Sequence, residues 1–228
     1  MMARDNFLEK KRGKRPDRKG GKKEPKPNSF LIVSEGTQTE PFYFRGLSDY
    51  VNQKYGDSIQ SKPVIDPEGV GRSTVRLIRE AQKLEKRGNI LYSQVWVVFD
   101  KDDFTDFDEA IALAHELGYH TAWNNRSFEY WIFLHFNYSD AALDQGGWAE
   151  KISKVFKDED IDPNGYQKNN PRVFEIATQR GSLKKAIKNA ERIEREHPEG
   201  TLPSKCDPCT KVHHLIQELA PYLSELLE

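Results

Sequence analysis

Apolar residues along this chain gather in two short unbroken runs separated by longer stretches of helical period. The runs are "SFLIVS" (29–34) and "QVWVVF" (94–99), rich in β-branched and aromatic residues and bounded by polar turns, with a weaker one at 119–123. Unbroken apolar runs of this length predict strands covered on both faces. Between them, "TEPFYFRGLSDYVNQKYG", "STVRLIREAQKLEKRG" and "DFDEAIALAHELG" carry amphipathic helical spacing, the second opening on Ser73 and closing on Gly88, the third closing on Gly118. Strand alternating with helix predicts an α/β fold with a mostly parallel sheet flanked by helices.

From about residue 128 the pattern turns helical: "FEYWIFLHF", "WAEKISKVFKD", "SLKKAIKNAERIEREH" and "KVHHLIQELAPYLSELLE", with a polar Asn/Pro/Gly-rich loop over residues 158–172. The expectation is a small α/β core to about residue 125 carrying C-terminal helical additions. At 228 residues the chain is long enough for one substantial core. No internal repeat divides it.

Charge divides the chain differently. Residues 1–28 hold eleven Lys/Arg against four Asp/Glu (+7), and residues 29–228 hold twenty-four against thirty-two (−8). The basic opening has too few apolar residues to offset the entropy of ordering, so it reads as a disordered tail ahead of a domain at 29–228. Such a tail either binds nucleic-acid phosphates or serves as a solubilising leader. No run approaches a membrane span and no apolar signal core follows the basic start, which predicts a cytoplasmic protein without membrane contact. The glycosylation-type triplets "NRS" (125–127) and "NYS" (137–139) then carry no meaning. Cys206 and Cys209 form a lone CxxC; without a second pair they make no four-cysteine zinc site, and without a preceding strand they make a poor redox motif.

The candidate chemistry lies at strand ends. In open α/β sheets ligands sit beyond the carboxyl ends of the strands. The first run ends in Glu35 and Gly36, the second in Asp100, followed by Lys101, Asp102 and Asp103. Carboxylates held in one crevice repel unless a cation neutralises them, and an all-oxygen set suits Mg²⁺ or Mn²⁺ working on phosphate. "DKDDF" would equally serve as a solvated turn or a cap for the next helix.

A third acid sits in an almost wholly apolar helix. Glu129 opens "FEYWIFLHF", either facing the crevice or as a first-turn acid favoured by the helix dipole, with Ser127 as cap. His135 reads as a hydrogen-bonded core residue, with general-base work left open. "PEGVGRST" (67–74) lacks the first Gly and the Lys of a phosphate loop, so no NTPase follows; a glycine-rich turn with Arg72 could cradle one phosphate or simply cap a helix.

The stretches "VSEGTQTEPFYF" (33–44), "VWVVFDKDDF" (95–104), "NNRSFEYWIFLHF" (124–136), Tyr166-x-Lys168 and "DPCTKVHHL" (207–215) resemble the RloB-like family, also called AbiLii-type, of bacterial defence loci related to the Toprim fold. The chain reads Asn125-Arg126-Ser127 where that family has Asn-Pro-Ser, and Asp207-Pro208-Cys209-Thr210 where it has Asn-Pro-Ser-Thr. The resemblance implies a Toprim-like sheet with Glu35, Asp100 and Asp102 on Mg²⁺, Asp103 and Glu129 supporting them or binding a second ion, and Arg45, Arg72, Lys101 and Arg126 gripping nucleic acid. It implies a metal-dependent nuclease on DNA or RNA, tRNA included, in antiphage abortive infection, with an ATPase partner. The alternative is a non-catalytic nucleic-acid-binding or adaptor module.

Overall fold

The computed structural model describes residues 24–25, 28–56, 64–70, 74–87, 90–103 and 105–228. In chain order they form β1 (Glu24–Pro25), β2 (Ser29–Ser34), α1 (Thr39–Tyr55), β3 (Val64–Gly69), α2 (Thr74–Arg87), β4 (Ile90–Leu91), β5 (Gln94–Asp100), α3 (Phe107–Glu116), β6 (His120–Asn125), α4 (Phe128–Leu134), α5 (Gln145–Asp158), α6 (Val173–Gln179), α7 (Leu183–Glu196), β7 (Cys209–Thr210), α8 (Val212–Glu218) and α9 (Ser224–Leu227).

Five strands make the main sheet in the order β3-β2-β5-β6-β7, parallel except for β7, which runs antiparallel to β6. The fold is therefore α/β, as the alternating pattern predicts. β2 and β5, the two unbroken apolar runs, lie side by side at the centre, where Leu31, Ile32, Val33, Val97, Val98 and Phe99 are buried. The chain leaves β2 toward β3 on one side and returns past it to β5 on the other. Right-handed crossovers in opposite directions set α1 on one face and α2 with α3 on the other, each through a buried stripe: Tyr43, Phe44, Leu47 and Val51; Leu77, Ile78 and Ala81; Phe107, Ala110, Ile111 and Ala114. The strand order thus reverses between β2 and β5, and the crevice of an α/β sheet opens at such a point.

α4 is buried along its whole length and packs against α5 and α7, so the helical additions close over the end of β6. Their aromatic contacts, among them Tyr130 and Phe133 against Trp148, make them part of the same core.

Several elements depart from the sequence expectation. Pro67, Glu68 and Gly69 end strand β3 rather than forming a free glycine turn; β3 is an edge strand, where a proline in the run is tolerated. β6 runs on to Asn125, beyond its apolar part. α6 lies immediately after the expected loop, packed on α1. The last helical stretch breaks at Pro221 into α8, a 3-10 turn and α9, because proline has no N–H to continue the ladder. Of the basic tail, Glu24–Pro25 pair in parallel with Ile90–Leu91, and so are strand rather than free tail; residues 1–23 and 26–27 lie outside the described residues.

Candidate functional site

At the switch point the chain after β2 and the end of β5 meet. The backbone N–H of Asp100 donates to Glu35 Oε2 at 3.3 Å, which joins the two strand-end acids directly. Around them opens a cleft of about 280 Å³ lined by Glu35, Glu40, Asp100, Asp102 and Glu129, with Gln145 and Lys168 opposite. Of the acids read from the sequence, Glu35, Asp100, Asp102 and Glu129 share this cleft. Asp103 is exposed and lines the adjoining cleft of about 400 Å³ with Lys101, Arg126, Ser127 and Asp144; Asp102 and Gln145 belong to both.

Asp100 is held from two sides. Asn124, its partner across the sheet, donates Nδ2 to Oδ1 at 2.9 Å, and the backbone N–H of Phe128 donates to Oδ2 at 3.1 Å. The second bond means that Asp100 caps the start of α4, a position where the Ser127 hydroxyl, buried without a partner, makes no capping bond. Both oxygens retain a lone pair for a cation.

Glu129 is buried and faces the cleft, which excludes a solvent-facing first-turn acid. Its carboxylate receives Tyr166 Oη at 3.3 Å and Gln145 Nε2 at 3.4 Å, with Lys168 Nζ at 3.6 Å. Tyr166 Oη lies 3.4 Å from Thr39 Oγ1, whose hydroxyl also reaches the carbonyl of Lys168 at 3.2 Å, tying the segment from 166 to 168 to the start of α1.

Glu40 is the acid the sequence reading missed. It sits one residue into α1, buried, with its carboxylate turned back onto the β2–α1 turn. A Cβ on Gly36 would lie 2.2 Å from Glu40 Oε2, so glycine at 36 makes room for this side chain. Gly69 is needed for the same turn: a Cβ there would meet Pro41 and the carbonyl of Gly36 at 2.5 and 2.6 Å.

Glu35, Glu40, Asp100 and Asp102 are disfavoured as anions. Burial first, then the charges of Asp102, Glu40 and Asp106, push Glu35 up to about 7, against the backbone hydrogen bond from Asp100. Asp100 is raised well above the carboxylate range by burial and by Glu40 and Glu129, only partly offset by its Asn124 and Phe128 bonds. Burial raises Glu40 and Asp102 too, with Glu129 adding to the first and Asp103 to the second. Among the described residues, Lys168 is the only basic side chain that lines the cleft, facing five acids. An oxygen-rich set whose charged forms are disfavoured by burial and mutual repulsion fits a hard divalent cation, which would relieve both.

The expected phosphate-gripping residues separate. Lys101 and Arg126 lie in the adjoining cleft, where Arg126 is paired with Asp207 at 2.9 Å. Arg45 is not brought to the cleft: it is exposed on α1, its guanidinium 6.0 Å from the Phe42 ring, because its position on the helix turns it away from the face that carries Glu40 and Phe44. Arg72 and Ser73 of the proposed cradle lie outside the described residues, while Thr74, its last member, opens α2 and donates its hydroxyl to Asp106 at 2.6 Å. His135 is a core residue, its Nε2 3.1 Å from Tyr43 Oη and its Nδ1 3.0 Å from the Trp131 carbonyl; burial lowers it to about 4, which keeps it neutral. Cys206 and Cys209 are free and buried, and burial pushes Cys209 up to about 12, so neither is a reactive thiolate.

A mostly parallel sheet covered on both faces, with a carboxylate-lined cleft at its switch point, defines the protein as an α/β protein. The chain belongs to the RloB-like protein family, whose model matches residues 30–219. No curated protein and no solved structure matches it. The Asn125–Arg126 peptide, in the motif where the family pattern given above has proline, is cis, as is Asp207–Pro208. No helix among the described residues is long and apolar enough to cross a membrane.

Proposed function

We propose that this protein is a Mg²⁺-dependent nuclease, hydrolysing phosphodiesters of DNA or RNA in the cleft at the carboxyl ends of β2 and β5. One observation carries the reading: Glu35, Glu40, Asp100, Asp102 and Glu129 face one another across about 280 Å³, with a single lysine beside them among the described residues. Glu35, Asp100 and Asp102 would hold the ion. When bound, Mg²⁺ (or Mn²⁺) polarises the phosphate, lowers the pKa of a bound water and stabilises the leaving oxygen.

The chain's own residues supply the rest. Asn124 and the Phe128 N–H fix Asp100, so its oxygens stay aimed at the cleft. Lys168, held near Glu129, offers a cation to the charge that develops on the phosphate. Tyr166 stays neutral, since burial raises its pKa far above the working range, and donates to Glu129. Glu129 is thereby oriented to accept a proton from an attacking water. The adjoining cleft gives the strand a path past Lys101 and Arg126, whose positive ends suit the phosphates on either side of the scissile bond.

The Toprim-like character of the sheet, the antiphage abortive-infection setting, the cytoplasmic location, tRNA among the substrates and an ATPase partner extend this proposal from the family resemblance. A non-catalytic adaptor is the rival. Purified protein incubated with plasmid, single-stranded DNA and total tRNA should cleave at least one of them with Mg²⁺ and none with EDTA. Equal binding in both conditions without cleavage would establish the adaptor instead.

A further inference from the structure

Outside the acidic cleft, Glu194 near the end of α7 meets two adjacent histidines of α8. His213 Nε2 lies 2.9 Å and His214 Nε2 3.0 Å from the same oxygen, Glu194 Oε2, and one donor atom from each of the three residues lies within 4.8 Å of the others. Neighbouring residues on a helix project about 100° apart and do not ordinarily converge. Here the two rings stand edge to face, 4.2 Å between centroids, and turn to one point. We propose that Glu194, His213 and His214 form a second metal site, for a divalent transition ion of the zinc class, joining α7 to α8.

The donor set is two imidazole nitrogens and one carboxylate oxygen, which suits zinc with a fourth position open. With bonds of about 2.0–2.2 Å, two ligand atoms on a tetrahedral ion stand about 3.3 Å apart, so the present 2.9 and 3.0 Å need to widen only slightly. The open position has somewhere to face: His214 is half-exposed and, with Lys211, Trp96, His120 and Trp123, lines a surface cleft of about 250 Å³. Two features weaken the site relative to a closed structural zinc centre. Lys211 occupies the other oxygen of Glu194, adding a like charge, and His213 Nδ1, which would carry the ring proton, is buried without an acceptor. The ion is therefore exchangeable, and it acts as a clamp. α8 follows directly on β7, where Thr210 supports Asn124 and so Asp100, so a tie between α7 and α8 steadies the segment behind the acidic cleft.

The test uses the full chain and Co²⁺ as probe, in a large excess of Mg²⁺ to fill oxygen-only sites. One equivalent of Co²⁺ should bind with the visible absorption of a low-coordinate ion. His214→Ala, at a half-exposed position, and Glu194→Gln should each weaken binding by more than about 100-fold, since losing even an outer-shell partner costs 10–100-fold. Asp100→Asn should leave this binding unchanged, which separates the site from the nuclease reading. Zn²⁺ should raise the melting temperature of the wild type and not of His214→Ala. No Co²⁺ binding in excess Mg²⁺, full binding by both ligand variants, or a thiolate charge-transfer band assigning the ion to Cys206 and Cys209 would each overturn the proposal.

Discussion

Asn124 donates its side-chain amide to Asp100 at 2.9 Å and accepts the Thr210 hydroxyl on its own carbonyl oxygen at 2.6 Å, all three side chains buried. The acid that ends β5 is thus aimed by the neighbouring strand, and that strand by the antiparallel piece beyond it. Asn124→Ala leaves Asp100 Oδ1 and Thr210 Oγ1 buried without these partners. A buried group so orphaned costs about 1–3 kcal/mol, so urea unfolding should show a loss in that range. Asp100 also loses a donor that favours its charged form, and Mg²⁺ affinity should fall with stability. Unchanged Mg²⁺ affinity in the folded variant would mean that Asp100 does not depend on Asn124 for its aim.

The raised acids fix the sign of a pH effect. Glu35 sits at about 7 in the folded chain against an ordinary 4.5, so between those values the folded chain holds a proton that the unfolded chain has released. Without metal, the stability from this group is fully present below pH 4.5 and lost as pH rises through about 7. Glu35 is partly open to solvent, and screening trims the effect. Asp100, Glu40 and Asp102 shift in the same direction. A divalent ion needs the ionised forms, so Mg²⁺ affinity should climb across this window and its uptake should release protons. Calorimetric titration at about pH 6.5 in two buffers of different ionisation enthalpy measures that release. No proton release there would remove Glu35 from the ligand set.

Gly36 and Glu40 should behave as a pair. Gly36→Ala places a methyl within 2.5 Å of the Glu40 carboxylate, which can swing away because it is the end of a flexible chain. Stability should drop by no more than about 1 kcal/mol, while activity falls as Glu40 moves within the cleft. In a double-mutant cycle, adding Glu40→Ala to Gly36→Ala should cost less than Glu40→Ala alone, with coupling of at least about 0.5 kcal/mol. Strict additivity would show that glycine at 36 serves the turn and not Glu40.

The sheet was largely legible because β2 and β5 are covered on both faces and therefore appear as unbroken apolar runs. β3 was hidden by its proline, which an edge strand accepts, and α6 by its seven residues, too few to show a period. Glu35, Asp100 and Asp102 could be found because a carboxylate directly after a buried strand is a local signal. Glu40 could not: an acid in the first turn of a helix is what any helix favours, and only the turn that brings Gly36 beneath it reveals its direction. Arg45 lies away from the cleft for the converse reason, since closeness in sequence to Glu35 says nothing of the helix face on which a side chain emerges. Lys168 reaches the cleft from a loop more than thirty residues beyond α4, a contact that only the closing of the helical additions over β6 produces.

Glu129 decides how much of the site the helical additions supply. If its carboxylate only favoured the start of α4, it would contribute about 0.3–1 kcal/mol through the helix dipole, and Glu129→Gln would keep activity. The structure gives it Tyr166, Gln145 and Lys168 as partners and points it into the cleft. Gln at 129 keeps the shape and can still accept from Tyr166, so melting temperature should move by only a few degrees, a change of about 1 kcal/mol. It removes the charge that the proton transfer and Lys168 both need, so the cleavage rate should fall by at least about 100-fold, the usual scale for a general base. Lys168→Met should lower kcat and move the pH profile to higher pH, because the lysine's charge holds Glu40 and Asp102 down and its loss lets both rise. A Glu129→Gln enzyme that cleaves at the wild-type rate would confine the chemistry to Glu35, Asp100 and Asp102, and would leave the helical additions as walls of the cleft.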